Sequence, residues 1–168
     1  NCLLQEPEKD LLAVADLART QPIHVRFIEV MPIGYGRQMK FVKEERLREL
    51  LMKHYGTLTP CGDVLGNGPA VYFSLEGFQG KIGFISAVSH KFCNSCNRVR
   101  LTSDGFLKTC LQYDTGVRLK EPMQAGCSDE ELASLIAQAI REKPVGHEFD
   151  KKGLVAGEEV RTMSQIGG

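Results

Sequence analysis

Two adjoining runs decide the fold class: Glu8-Lys9-Asp10-Leu11-Leu12-Ala13-Val14-Ala15-Asp16-Leu17-Ala18-Arg19-Thr20 and, after Gln21-Pro22, Ile23-His24-Val25-Arg26-Phe27-Ile28-Glu29-Val30. In the first, Leu11, Leu12, Val14, Ala15, Leu17 and Ala18 recur at helical spacing. Glu6, Glu8 and Asp10 stand at its front, where acidic groups suit the helix dipole. Gln21-Pro22 stops the helix. In the second run Ile23, Val25 and Phe27 alternate with His24 and Arg26, so residues 23–30 read as a strand. A helix feeding a strand, behind an apolar start at Asn1-Cys2-Leu3-Leu4, reads as the tail of a βαβ series, and the fold class is α/β. The strand runs out into Met31-Pro32-Ile33-Gly34-Tyr35-Gly36, a loop rich in breakers. Such ends of parallel strands are where α/β folds hold ligands.

The pattern changes after about residue 38. Residues 43–54 form a second amphipathic helix with Leu47, Leu50 and Leu51 inward and Gly56 as its cap. Three strand-like runs follow, at 70–75, 81–88 and 98–111. Gly77-Phe78-Gln79-Gly80 turns the first into the second, and Ser103-Asp104-Gly105 folds the third into a hairpin. Together they read as one small antiparallel sheet. Ser128-Asp129-Glu130-Glu131 is a capping box. It opens a helix with Leu132, Leu135, Ile136, Ala139 and Ile140 inward, ended by Pro144. Residues 145–168 show no period.

Composition narrows the function classes. The 168 residues carry 21 basic and 21 acidic side chains, so any anion must be bound by a few placed arginines rather than by a basic surface. Nucleic acid is not an expected partner. No apolar run approaches the roughly 18 residues that cross a bilayer, so no membrane partner is expected either. The opening residues resemble neither a signal peptide nor a natural start, and the chain reads as a piece of a longer one. Six cysteines with no secretory signal suggest thiols rather than disulfides, and a cytoplasmic setting.

Three of those cysteines carry the chemistry. Cys93-Asn94-Ser95-Cys96 and Cys110 have the spacing C-x2-C-x13-C. The first pair can converge on one centre, and the 98–111 hairpin returns the third thiol toward it. Buried inert cysteines, a zinc site and an iron–sulfur cluster all remain open on spacing alone. Structural zinc wants four protein ligands, and His90, Cys61 or Cys127 would have to supply the fourth. Three thiolates on a four-iron cluster would leave one iron open to substrate. Just beyond, Arg98 and Arg100 lie two apart on a strand and so project from one face. Paired guanidinium forks suit phosphate oxygens. Arg26 and Glu29 could form a buried ion pair or touch a ligand, and Met31 could be core or site.

Three stretches together resemble one family. They are residues 26–32, the loop Cys93-Asn94-Ser95-Cys96-Asn97-Arg98-Val99-Arg100-Leu101-Thr102-Ser103-Asp104-Gly105 with Cys110, and the end Met163-Ser164-Gln165-Ile166-Gly167-Gly168. They resemble the C-terminal half of the GTP 3′,8-cyclases, radical S-adenosylmethionine enzymes that open molybdenum cofactor (molybdopterin) biosynthesis. The resemblance implies that Cys93, Cys96 and Cys110 hold a 4Fe-4S cluster with an open iron. It implies that Arg98, Val99 and Arg100 contact GTP, that Met31 lines the S-adenosylmethionine pocket, and that Gly167 and Gly168 reach the active site as catalytic residues. The implied reaction is a lyase-class conversion of GTP to (8S)-3′,8-cyclo-7,8-dihydroguanosine 5′-triphosphate.

The family's radical-generating C-x3-C-x2-C loop has no counterpart here. A second 4Fe-4S cluster is therefore expected in a missing N-terminal barrel, and this chain alone is expected to be inactive. Residues 143–161 match less clearly, and no residue is carried over from them. The expected architecture is the end of an incomplete TIM-type (β/α) barrel at residues 1–38. A small α+β domain at 39–168 follows, with an antiparallel sheet, the iron–sulfur site and the Gly-Gly tail. Expected partners are GTP, S-adenosylmethionine, the missing barrel, a downstream pyranopterin-forming enzyme and a second copy in a homodimer. The rival reading is a zinc-ribbon-like, non-enzymatic binding module.

Overall fold

The computed structural model describes residues 2–3, 7–40, 42–62, 65–150 and 157–166. The chain divides into two compact units, Asn1–Met31 with Gln38–Phe92, and Pro32–Arg37 with Cys93–Gly168. This grouping differs from a cut at residue 38, because the strand before that point pairs with a strand far beyond it.

The first unit begins with β1 (Cys2–Leu3), α1 (Glu8–Thr20) and β2 (Val25–Ile28). These form the expected β-α-β unit, with β1 parallel to β2. Then come α2 (Glu44–Tyr55), β3 (Thr59–Pro60), β4 (Val71–Ser74) and β5 (Ile82–Ile85). One mixed sheet has the order β1-β2-β5-β4-β3. β5 runs parallel to β2, matching Val25 with Ile82 and Ile28 with Ile85, and antiparallel to β4. The expectation of a single antiparallel sheet built from the three later runs is thus corrected. The first two of those runs join β2, and only the third forms a sheet elsewhere.

Burial explains the arrangement. Val25 and Phe27 point into the core while Arg26 and Ile28 are half-buried, the alternation of a strand covered on one face. The strand is shorter than residues 23–30, and Ile23 is exposed. Leu11, Ala15 and Ala18 from α1 and Leu47 and Leu51 from α2 pack with Phe27, Phe73, Ile82 and Phe84. Tyr55 ties the helices together, its hydroxyl 3.1 Å from both the Leu12 carbonyl and Asp16 Oδ1. Desolvation, with the Asp16 carboxylate beside it, pushes the Tyr55 phenol up to about 12. Gly80 donates its N–H to the Ala18 carbonyl at 2.8 Å. A Cβ there would fall 1.7 Å from the Ile23 carbonyl oxygen, so the β4–β5 turn closes against the α1–β2 connection only with glycine.

The second unit holds β6 (Arg100–Leu101), β7 (Phe106–Lys108), β8 (Gly116–Arg118), α3 (Lys120–Gln124) and α4 (Asp129–Arg141). Its three strands form an antiparallel sheet in chain order. The hairpin turn is the expected one: Gly105 has φ 81° and Thr102 closes it on Phe106 through backbone and side chain. The Ser128–Glu131 capping box is complete, with reciprocal bonds of 3.2 and 2.8 Å. Along α4 Ala139 is buried and Leu132, Leu135 and Ile136 are half-buried. Ile140, expected inward, is exposed. Among the described residues, no helix is long and apolar enough to cross a membrane.

Candidate functional site

The second unit carries the cysteine loop. Cys93–Ser95 form a single 3-10 turn, closed by the Cys96 N–H on the Cys93 carbonyl at 3.1 Å. That turn brings the two cysteines of C-x2-C to the same side of the loop. Arg100 pairs with Lys108 across the hairpin. The ladder ends at that pair, with Arg98 two residues before it and Cys110 two residues after it. Cys93, Cys96 and Cys110 are all free thiols and all half-buried. Among the described residues, no three His, Cys, Asp or Glu side chains are gathered as a single metal ion would require.

The electrostatics around the thiols are cationic. Burial pushes the Cys96 thiol up, but the backbone N–H of Arg98, the Lys143 ammonium and the Arg98 guanidinium outweigh it, and the net shift is downward. Arg100 is drawn below its ordinary value by desolvation and by Arg98. The charges of Cys96 and Cys110 oppose that drift. Arg98 and Arg100 are half-buried while Val99 and Leu101 are exposed, an alternation that turns both arginines away from solvent. A cysteine held toward its thiolate by neighbouring cations, as Cys96 is, suits ligation of a soft, anionic, sulfur-bound group.

His90 and Cys61 belong to the first unit, where the His90 ring meets Glu45 at 3.2 Å. Cys127 follows α3, its N–H bonded to the Pro122 carbonyl. Met31 is half-buried, three residues past the end of β2. Gly167 and Gly168 lie outside the described residues.

The chain matches the family model described as Molybdenum Cofactor Synthesis C over residues 23–149. It belongs to that family. A relative from Clostridium perfringens (strain SM101 / Type A), named GTP 3′,8-cyclase, is 45% identical over 167 residues, covering 99% of this chain and 51% of its own length. Relatives of the same name from Syntrophomonas wolfei and Moorella thermoacetica are 42% and 40% identical, each covering 96% of this chain and 49% of their own. The chain thus spans about half the length of the curated relatives it matches.

One buried group escapes a sequence reading of this family member, and a second is left undecided by it. The first is a buried polar cluster around Lys108. Lys108, 1% exposed, pairs with Glu159, also 1% exposed. Glu159 also accepts from Arg161 Nε at 2.9 Å, and Arg37 donates to its carbonyl at 3.0 Å. Burial alone would raise the Glu159 carboxyl, but the Arg161 and Lys108 hydrogen bonds hold it at about 2. The second is Glu29, fully buried at the end of β2. Its carboxylate accepts from the N–H groups of Glu44, Val88 and Ser89 at 3.1, 2.9 and 2.9 Å, pinning α2 and the loop after β5. Sequence left Glu29 open between an ion pair with Arg26 and a ligand contact. In the structure its partners are backbone amides and the Ser89 hydroxyl. Its signal was a carboxylate ending an apolar strand.

Proposed function

We propose that this chain is the C-terminal part of a GTP 3′,8-cyclase, converting GTP to (8S)-3′,8-cyclo-7,8-dihydroguanosine 5′-triphosphate together with an N-terminal barrel. The reading rests above all on one juxtaposition in a family member. Cys93 and Cys96 flank a 3-10 turn just ahead of the β6–β7 hairpin, Cys110 follows β7, and the half-buried Arg98 and Arg100 lead from the turn into the hairpin. Cys93, Cys96 and Cys110 would hold a 4Fe-4S cluster. When bound, it supplies an iron without a protein ligand, to which a purine nitrogen or oxygen can attach. A cluster takes each thiolate on a separate iron, so the three sulfurs need not meet at one point as they must for zinc.

Arg98 and Arg100 orient the triphosphate through forked hydrogen bonds, and Val99 lies against the nucleotide between them. Met31 contributes to the S-adenosylmethionine pocket at the end of β2, the customary ligand end of such strands. The β1-α1-β2 unit supports reading residues 1–38 as the last of an incomplete barrel, with residues 39–168 as the cluster- and GTP-binding part. Gly167 and Gly168 would approach the ligand by backbone alone. A cytoplasmic enzyme, a homodimer and hand-over of product to a pyranopterin-forming enzyme complete the proposal. The chain alone lacks the radical-generating cysteine loop and is expected to yield no 5′-deoxyadenosine.

The test is iron, sulfide and zinc analysis of anaerobically purified chain with its visible spectrum. A brown protein with iron and sulfide supports the reading. A colourless protein with one zinc replaces it with the binding module.

A further inference from the structure

Residues 143–147, between α4 and the last part of the chain, cross directly over the cysteine turn. Lys143 Nζ donates to the Cys96 carbonyl at 2.8 Å and the Arg98 carbonyl at 2.9 Å, and lies 3.4 Å from Cys96 Sγ. The His147 N–H points at Cys93 Sγ at 3.5 Å. Gly146 lies so close that a methyl on it would stand 3.4 Å from Cys93 Cβ and 3.5 Å from its sulfur. Lys143 is thus held by two carbonyls with its charge against one sulfur, while the backbone four residues on serves the other. The Lys143 head group is fixed at three points, a precision that a solvated surface lysine does not have.

We propose that residues 143–147 form a clasp that seats the cysteine turn and sets the electron affinity of the group it holds, with Lys143 as the positioning residue. The proposal rests on the iron–sulfur reading above. Hydrogen bonds and cations at ligating sulfurs stabilise the more negative, reduced form of a cluster and so raise its potential. The Lys143 ammonium and the His147 amide supply one such donor to each cysteine of the turn. Neutral Met in place of Lys143 keeps the stem and removes the charge. Arg keeps the charge.

The experiment uses the full 168-residue chain, reconstituted anaerobically, in wild-type, Lys143→Met and Lys143→Arg forms. Iron and sulfide are measured first, then the midpoint potential by a redox titration followed spectroscopically. Wild-type protein without iron would sink the iron–sulfur reading and the clasp with it. With wild type loaded, Lys143→Met should favour the oxidised cluster by about tenfold, about 59 mV for one electron, and Lys143→Arg should stay nearer wild type. Iron retained at an unchanged potential in Lys143→Met overturns the clasp and leaves the reading intact. Should Lys143→Met shed its iron, iron kept by Lys143→Arg supports the charge assignment, and iron lost from both overturns it.

Discussion

The two units are built on different principles. In the first, among the described residues, fifteen apolar side chains are buried against three polar ones, Glu29, Glu44 and Ser86. In the second, among the described residues, five apolar side chains share the interior with Thr102, Lys108, Thr109, Gln112 and Glu159. The first unit is held by the removal of apolar area from water. The second is held by a few long-range polar bonds that tolerate no missing partner. The polar unit carries Cys93, Cys96, Cys110, Arg98 and Arg100, and the apolar unit carries Met31 just past β2.

The largest effects should come from breaking each interior in its own currency. Phe27→Ala should cost about 3–5 kcal/mol by opening a cavity in the first unit. Lys108→Met should cost a similar amount, about 3–5 kcal/mol, by leaving the buried Glu159 carboxylate short of its nearest partner. Adding Glu159→Gln to Lys108→Met should then recover part of the loss, whereas no second change near Phe27 except refilling the volume will do so. Urea unfolding followed by circular dichroism reads all three. A Lys108→Met chain as stable as wild type would show that the polar interior contributes nothing.

The units should also fail at opposite ends of the pH scale. Glu159 has a folded pKa of about 2, below its ordinary value of 4.5. Its contribution is complete above pH 4.5 and is lost as pH falls toward 2, because the unfolded state takes up the proton first. Tyr55 is raised from 10.0 to about 12. Its contribution is complete below pH 10 and is lost as pH rises toward 12. Glu159→Gln should flatten the acid limb of the stability profile and Tyr55→Phe the alkaline limb. Either variant acting on the other limb would contradict the assignment.

This contrast also explains what could be read in advance. α1, α2, β2, β4 and β5 announce themselves because periodic apolar residues report a buried face. Gly56 and the Ser128–Glu131 box were legible because caps are local. The β2–β5 pairing was not, since a strand's pattern says which face is buried but not which strand lies beside it. Lys108 sits in Phe106-Leu107-Lys108, where alternation would turn it to solvent, and its burial is satisfied by the Tyr113 carbonyl and by Glu159, 51 positions away in sequence. β8 and α3 are too short and too polar to show a period. Of the site, the cysteine spacing and the paired arginines were legible, and the 143–147 clasp was not.

Smaller effects should separate frame from function. Arg98→Ala and Arg100→Ala should leave stability and iron content near wild type. In the complete enzyme each should weaken GTP binding by about 1.5–3 kcal/mol, and guanosine far less. Equal weakening of guanosine and GTP would show that these side chains do not read phosphate. Ser128→Ala, which opens the capping box of α4, should cost only about 1 kcal/mol, measured by the shift in the urea midpoint.

The most direct test of the central claim is iron and sulfide per chain, measured after anaerobic reconstitution, across the cysteines one at a time. Cys93→Ala, Cys96→Ala and Cys110→Ala should each abolish stable iron binding, since a cluster with three protein thiolates cannot spare one. Cys61→Ser and Cys127→Ser should retain the wild-type content of about four irons. Loss of metal from Cys127→Ser as complete as from Cys93→Ala would replace the three-thiolate, open-iron site with a four-ligand one and contradict the account.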